Sequence, residues 1–406
     1  MFASLLAVFS IAISVALLLM VERTKRAAEE GFTQSVSQVD LLVGARTGPL
    51  NLILFTVFNM GTASNNISWK SYQEIKKRPD VEWTIPYSLG DGHRGFRVVG
   101  TDENFYEHYR FRGQQKVEFA QGVPALGIWD VALGSKVAEK LGYQIGDEVV
   151  ISHGGTHGEG FIQHDDKPFH VVGILKPTGT AIDQSIYISL YGMEALHIDF
   201  HDGAPHAHSK DDHHDLKKED IKIDEISAFF LRTKSRVETL QLQRDLNNYP
   251  AEPLLAIIPG VTLAELWRGL SQIEVVLRVI TLLVLAVGLG TMMSSLLASL
   301  NGRRREMAIL RSLGAGPVRL AGLLMIESSL LAATAVGMGV IIRFASFAFL
   351  GQWLEREFGF YLTGSFFTVN EYMYMVGIWI IGTGLGLFPA VVSSRRALKD
   401  GLTVRV

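Results

Sequence analysis

The chain of 406 residues contains no cysteine. Disulfide frameworks, thiol catalysis and zinc sites that use cysteine ligands are therefore excluded. The sequence also lacks a Gly-x-x-x-x-Gly-Lys-Ser/Thr phosphate loop and a His-Glu-x-x-His motif, which are the short signatures of nucleotide hydrolysis and of zinc proteolysis. We therefore expect a non-catalytic chain that does not hydrolyse ATP itself.

The chain has no large excess of charge of either sign, because 38 basic residues face 41 acidic ones and the net charge is −3. A near-neutral balance argues against nucleic acid as a partner. Hydrophobic residues make up 48% of the chain and the mean hydropathy is +0.22, which is high for a soluble protein. The apolar residues are concentrated in a few long runs.

Four of these runs are long enough to cross a bilayer, for which about 20 apolar residues suffice. The first is not read as a cleaved signal peptide, because such a peptide begins with a basic segment and this one does not. We predict transmembrane helices at residues 1–21, 275–300, 320–349 and 372–392.

The short loop at 301–319 carries five arginines and a single acid, Glu306. Loops rich in arginine belong on the cytoplasmic side, which also places the basic tail at 393–406 inside and the loop at 350–371 outside. Three basic residues, Arg23, Lys25 and Arg26, follow the first run and argue for the opposite orientation. However, if the arginine loop is inside, the region before the second span is outside and the N-terminus is inside, so these three residues lie outside.

The region at 22–274 lies between the first two predicted spans and is long enough for a core of its own. Short strand-like runs alternate in it with helical stretches, and polar helical stalks are predicted at both ends. We therefore predict four transmembrane α-helices plus an α+β extracytoplasmic domain inserted between spans 1 and 2. The apolar run at 49–60 is too short to span, so it is either a buried helix or an exposed contact for a lipid-like cargo or a partner.

The arginine loop continues as Arg305-Glu-Met-Ala-Ile-Leu-Arg-Ser-Leu-Gly-Ala315. Apolar residues recur in it at three- and four-residue spacing, which predicts a short helix with an apolar face, although a basic loop that only anchors the chain in the membrane would look similar.

The segment resembles the signature loop of FtsX-type ABC transporter permeases, the family that includes the MacB and Lol permeases. In that family it is the coupling helix that docks on a cytoplasmic ATPase. The resemblance assigns this role to Arg303, Arg304, Arg305, Glu306, Met307, Ile309, Leu310, Arg311, Leu313 and Gly314.

A second stretch, at 132–151, reads as helix, glycine turn and strand. Together with the runs at 169–175 and 185–190 it resembles the inserted subdomain of MacB-type periplasmic regions, here at about 123–215. The family usually carries a basic amphipathic stretch ahead of the first span. This sequence lacks that stretch, so a truncated N-terminus is one reading of its start.

The resemblance implies a permease subunit in a bacterial inner membrane, with its large loop in the periplasm. It would act by mechanotransmission in export or envelope trafficking. Its expected partners are a cytoplasmic ABC ATPase that holds the ATP, a second permease in a homodimer or mixed pair, membrane lipids, and a periplasmic or outer-membrane protein.

Ten of the twelve histidines lie between His153 and His214. Histidine and carboxylate side chains are zinc ligands, and short histidine-rich tracts often bind metal. The spacing matches no closed structural site, so a solvated polar loop and a flexible zinc collector or sensor both remain. A hydrolytic site at His153, His157, Asp165 and Asp166 is the weakest reading. The candidate metal ligands are His197, His201, His206, His208, His213 and His214.

Two charged residues fall within the third predicted span. Charged groups in a membrane are costly and usually face protein or water. We expect Glu327 to transmit force or to pair within the bundle, and Arg343 to extend to the outer interface.

Two other functions fit parts of the sequence. One is a non-transporting regulator, in which ATP-driven motion controls a periplasmic partner. The other is a membrane metal-binding sensor that needs no ATPase, and it would not depend on the apolar face of the arginine loop.

Overall fold

The computed structural model describes residues 2–61, 65–152, 168–198, 216–302, 315–358 and 367–389, together with residues 306, 309, 310, 312, 313 and 391. The chain divides into two compact units. Met1–Ala28 and Gly269–Val406 form the first, which we call the membrane unit, and Glu29–Arg268 form the second, the α+β unit.

The described residues include the ten α-helices named below and two short 3-10 helices, Ala181–Gln184 and Lys218–Asp220. Four of the α-helices are long and apolar enough to cross a membrane, over Leu5–Arg26, Pro259–Leu300, Val318–Phe349 and Val369–Pro389. The predicted fold class, four membrane helices with an α+β domain between the first two, is confirmed. The helices are α1 (Phe2–Ser35), α2 (Pro49–Val57), α3 (Trp69–Lys76), α4 (Glu103–His108), α5 (Ser135–Leu141), α6 (Leu190–His197), α7 (Arg236–Asn247), α8 (Pro259–Gly302), α9 (Pro317–Phe358) and α10 (Val369–Leu385).

The α+β unit is built on one mixed sheet of ten strands, in the order β14-β1-β13-β3-β4-β11-β8-β10-β7 with β9 beside β10. Two short pairs, β2 with β12 and β5 with β6, lie apart from it. The strands are β1 (Leu41–Ala45), β2 (Ile67–Ser68), β3 (Val81–His93), β4 (Phe96–Thr101), β5 (Arg110–Phe111), β6 (Gln115–Lys116), β7 (Phe119–Gly122), β8 (Asp130–Leu133), β9 (Glu148–Val149), β10 (Phe169–Leu175), β11 (Ser185–Ser189), β12 (Glu225–Ile226), β13 (Ala228–Thr233) and β14 (Leu254–Ile257).

The long strand β3 joins the two halves of the sheet. Its first part pairs with β13, its last part pairs with β4, and the register shifts between Leu89 and Gly92. Extra residues in one strand bend it and increase its twist. The bend lets one strand serve both halves, each of which has its own buried core.

The predicted helix beginning at Ala132 starts later than expected. Ala132 and Leu133 belong to β8, which lies between β10 and β11, and α5 begins at Ser135. Pairing on both sides of β8 overrides the helical propensity of these residues. The predicted glycine turn is present, because Gly142 caps α5 with a φ of 74°.

The apolar run at 49–60 forms α2, which buries Leu52, Ile53 and Phe55. These residues join the large central core of the α+β unit, where Phe105 and Tyr187 stack with their ring centroids 4.8 Å apart. Of the two readings of this run, the buried helix is the one observed.

Asp102 begins α4, because its side chain accepts a hydrogen bond from the backbone N–H of Asn104 at 3.1 Å. The carboxyl group is largely buried, and loss of solvation raises its pKa from 3.8 to about 6. A pKa that is higher in the folded state than in the unfolded chain means that the protonated form is favoured by folding. The ionised form therefore destabilises the α+β unit at neutral pH.

We predict that Asp102→Asn removes one component of the pH dependence of stability. In the wild type, the contribution is fully present below the unfolded pKa of 3.8 and is lost as the pH rises through about 6. The variant, whose asparagine still caps a helix, should gain about 2–3 kcal/mol relative to the wild type between pH 4 and pH 7.5. Urea unfolding followed by tryptophan fluorescence measures this difference, and parallel pH profiles for the two proteins would contradict it.

Candidate functional site in the membrane unit

Helix α1 occupies the centre of the membrane unit. Half of its most apolar stretch is buried (50%), compared with 22% in each of α8, α9 and α10. The three outer helices leave many large apolar side chains uncovered, as expected for surfaces that face lipid. The central packing involves Ala7, Ile11, Val15, Leu18, Leu19, Leu285, Met292, Leu296, Ala335 and Ile378.

Glycines allow the helices of this unit to approach closely. A Cβ atom on Gly339 of α9 would lie 2.7 Å from Val15 Cβ and 2.8 Å from the carbonyl oxygen of Ala12, both on α1. A Cβ on Gly382 of α10 would lie 2.6 Å from Ala332 Cβ. Small residues at such contacts are typical of membrane helices, which associate through close van der Waals packing.

Charged side chains join α1 to α8 where α1 reaches the end of its apolar stretch. Lys25 Nζ lies 2.7 Å from Glu274 Oε2, and Arg278 Nη2 lies 2.5 Å from Glu274 Oε1. Arg278 Nη2 is also 3.8 Å from Glu22 Oε2. The two helices are therefore tied together by a small ionic network.

A second ion pair joins α9 to α10. Arg343 Nη2 lies 3.1 Å from Glu371 Oε1, and the aromatic rings of Phe344 and Phe367 lie over the guanidinium at 5.3 and 4.6 Å from their centroids. Arg343 is only 3% exposed. The partner carboxylate and the two rings bury the guanidinium inside the unit, and its extension to the outer interface stays a prediction.

Glu327 is half-buried in α9 and interacts with a neighbouring group. Its burial agrees with the general cost of charge in a membrane. The choice between force transmission and simple pairing stays a prediction.

Between residues 303 and 314 of the arginine loop, the structure describes Glu306, Ile309, Leu310, Ser312 and Leu313. The backbone N–H of Leu313 donates to the carbonyl of Ile309 at 3.1 Å, and that of Ala315 donates to Leu310 at 3.0 Å. These bonds form a helical turn that ends before α9. Ile309, Leu310 and Leu313 are exposed by 53%, 37% and 79%, so the turn presents an apolar surface.

The other predicted site residues lie mostly outside the described residues. His197 is the last residue of α6. Among the described residues no group of three or more histidines and carboxylates is placed to hold a metal ion, and zinc binding by the histidine tract stays a prediction. Outside the described residues lie Arg303, Arg304, Arg305, Met307, Arg311 and Gly314, and also His153, His157, Asp165, Asp166, His201, His206, His208, His213 and His214.

Two family models match successive parts of the chain. The MacB-like periplasmic core domain matches residues 4–249, and the FtsX-like permease C-terminal model matches residues 278–402. The chain belongs to the FtsX/MacB-type ABC permeases. It is a permease subunit of an ABC transporter, a multi-pass membrane protein whose α+β unit is the periplasmic domain. The family implies a cytoplasmic ATPase as its partner.

Two solved structures resemble parts of this FtsX/MacB-type permease. One is the periplasmic region of MacB from Actinobacillus actinomycetemcomitans, with 10% identity over 57% of this chain and 94% of that chain and a TM-score of 0.37. The other is the extracellular domain of the noncanonic ABC-type transporter YknZ from Gram-positive bacteria, with 14% identity over 54% of this chain and 98% of that chain and a TM-score of 0.31. No curated protein matches the chain.

We predict that Gly339→Ala weakens the membrane unit, because the added methyl group would press on the α1 backbone at Ala12. Overpacking of this kind costs about 1–3 kcal/mol. Gly337→Ala, two residues away on the same helix, meets open space and serves as the matched control. Thermal unfolding in detergent should show a lower midpoint for the first variant only, and equal midpoints would contradict the packing described above.

Proposed function

We propose that this permease converts ATP hydrolysis by a separate ATPase into motion of its periplasmic domain, in the inner membrane of a bacterium, and that this motion serves export or envelope trafficking. The observation that carries the proposal is the continuity of α8, a single helix of 44 residues from Pro259 to Gly302. It begins in the α+β unit and ends at the arginine loop.

In this proposal motion passes along α8, and it enters at the exposed turn of the arginine loop on the cytoplasmic side. Ile309, Leu310 and Leu313 are large apolar side chains in water, and exposed apolar groups of this kind mark contacts with another protein. Burying one such side chain against a partner is worth about 1.5–3 kcal/mol. The ATPase would dock here, with the arginines around it supplying charge.

The periplasmic end of the path is fixed in a core. Leu263, in the first turns of α8, is buried in the central core cluster of the α+β unit, and Leu266 packs against the same cluster. An α-helix rises 1.5 Å per residue, so α8 is about 66 Å long. A stiff rod with one end held in a core transmits displacement of its other end, and cargo need not pass between the membrane helices.

Assembly with a second permease, as a homodimer or a mixed pair, is part of the same proposal. The outer surfaces of α8, α9 and α10 carry many uncovered apolar side chains, which lipid and a second copy would share. A periplasmic or outer-membrane partner would receive the motion of the α+β unit.

The decisive test replaces one exposed leucine of the loop. Leu313→Asp puts a charge where the ATPase contact is proposed, so recovery of the ATPase with the purified permease, and the ATP hydrolysis that accompanies it, should fall about tenfold or more. Leu240→Asp is the matched control, because Leu240 is also an exposed leucine (64%), on α7 in the α+β unit. Equal ATPase recovery with both variants would contradict the proposed docking surface.

A further inference from the structure

The guanidinium of Arg343 has donors that the protein does not use. Within the described part of the chain, Nε and Nη1 are buried and have no hydrogen-bond partner. Glu371 Oε1 is close to Nη2, at 3.1 Å, yet this oxygen also has no hydrogen bond, so the contact is an ion pair without good hydrogen-bond alignment. Unsatisfied buried donors of a charged group are costly, and a ligand that accepts from them would remove that cost.

Glu371 cannot serve these donors, because its carboxylate has another task. It forms a capping box at the start of α10 with Thr368, whose backbone N–H donates to Glu371 Oε2 at 2.7 Å. A capping box satisfies the first amide groups of a helix. One oxygen of Glu371 is thus committed to α10, and the other already lies beside Nη2.

The shape of the Arg343 side chain is suited to a phosphate. The planar guanidinium fork matches two oxygens of a phosphate, and such charge-assisted pairs are stronger than neutral hydrogen bonds.

The position of the site along the helices indicates where that phosphate comes from. Arg343 lies near the end of the apolar stretch of α9, which closes at Phe349, and Glu371 lies near the start of the stretch in α10. These stretches meet the membrane surface on the periplasmic side, where lipid phosphates lie. Phe344 and Phe349 are exposed by 57% and 84%, which provides an apolar surface for acyl chains beside the charged group.

We propose that Arg343 binds the phosphate of an anionic glycerophospholipid from the outer leaflet, with Nε and Nη1 as the donors. Phe344 covers one side of the guanidinium and is itself exposed at the surface, so rotation of its ring opens the approach. The lipid would then link α9 to the surrounding membrane at the end of the helix that is farthest from the ATPase loop. The ion pair with Glu371 competes with the lipid for Arg343.

Lipid binding to the full-length protein in detergent tests this inference. Phosphatidylglycerol is titrated in, with phosphatidylcholine as the uncharged comparison, and bound lipids are counted by native mass spectrometry. Arg343→Met should weaken phosphatidylglycerol binding about tenfold or more, since one charge-assisted hydrogen bond is already worth about tenfold in affinity and the proposal uses two donors. Arg343→Lys, which keeps the charge and the neighbouring carboxylate but loses the fork, should show a smaller loss and unfold at the wild-type temperature in lipid-free detergent.

Two further variants separate lipid binding from a structural role. Arg278→Gln removes an accessible arginine near the same membrane surface, already paired with Glu274, and should leave lipid binding unchanged. Glu371→Gln keeps a capping residue that can serve the same box and removes the competing charge, so it should tighten phosphatidylglycerol binding. A purely structural Arg343 predicts no tightening, and that result would overturn the proposal.

Equal losses with Arg343→Met and Arg278→Gln would also overturn it, because binding would then follow surface charge in general. Inorganic phosphate identifies the source of the ligand. We expect it to displace phosphatidylglycerol only weakly at matched concentration, since it has no acyl chains to pack beside Phe344 and Phe349. Equally strong displacement would mean that the site takes free phosphate and would overturn its assignment to a lipid.

Discussion

The membrane unit depends on one constraint, which is that backbone N–H and C=O groups have no water to bind inside a bilayer. Only an uninterrupted helix satisfies them all within one segment. This constraint makes α8 a helix through its apolar stretch, and α8 continues unbroken back to Pro259, where its side chains belong to a different core. The continuous helix on which the proposed transmission of motion depends thus follows, in its apolar part, from the absence of water.

The same low-polarity surroundings explain why the charged groups of the membrane unit occur together. Lys25, Glu274 and Arg278 form a network between α1 and α8, and Arg343 pairs with Glu371 between α9 and α10. Each pair limits the cost of charge near hydrocarbon. The two groups differ in their hydrogen bonds. Arg278 donates a hydrogen bond to Glu274, whereas Nε and Nη1 of Arg343 have no acceptor among the described residues.

Much of the fold could be read from the sequence because the signals were long or local. The four apolar runs and the glycine turn at Gly142 depend on composition and spacing alone, whereas the run at 49–60 left a buried helix and an exposed contact both open. Strand β8 is not predicted, because its pairing with β10 and β11, which are distant in sequence, overrides the helical propensity of Ala132 and Leu133. Strand β3 contains Pro86, Gly90 and Gly92, which weaken its strand pattern, and its stability also comes from distant neighbours.

The candidate site divides in the same way. The apolar face of the arginine loop has a period that is visible in the sequence, and exposed Ile309, Leu310 and Leu313 agree with it. The environment of Arg343 was not predictable, because a lone arginine in an apolar run reads equally well as a residue that reaches the surface. Its carboxylate partner comes from a different helix, and nothing in the spacing of the two residues announces the contact.

If motion passes along an unbroken α8, the distance between the two units should depend on the integrity of that helix. Gly269→Pro would break a backbone hydrogen bond of α8 and kink it, while Gly269→Ala meets open space and keeps the helix. Because the chain has no cysteine, Leu240→Cys and Val369→Cys can carry spin labels in either background. With the ATPase bound and hydrolysing ATP in both, we expect nucleotide to change the label-to-label distance in the alanine protein and not in the proline protein. The same change in both would mean that the motion does not travel through α8.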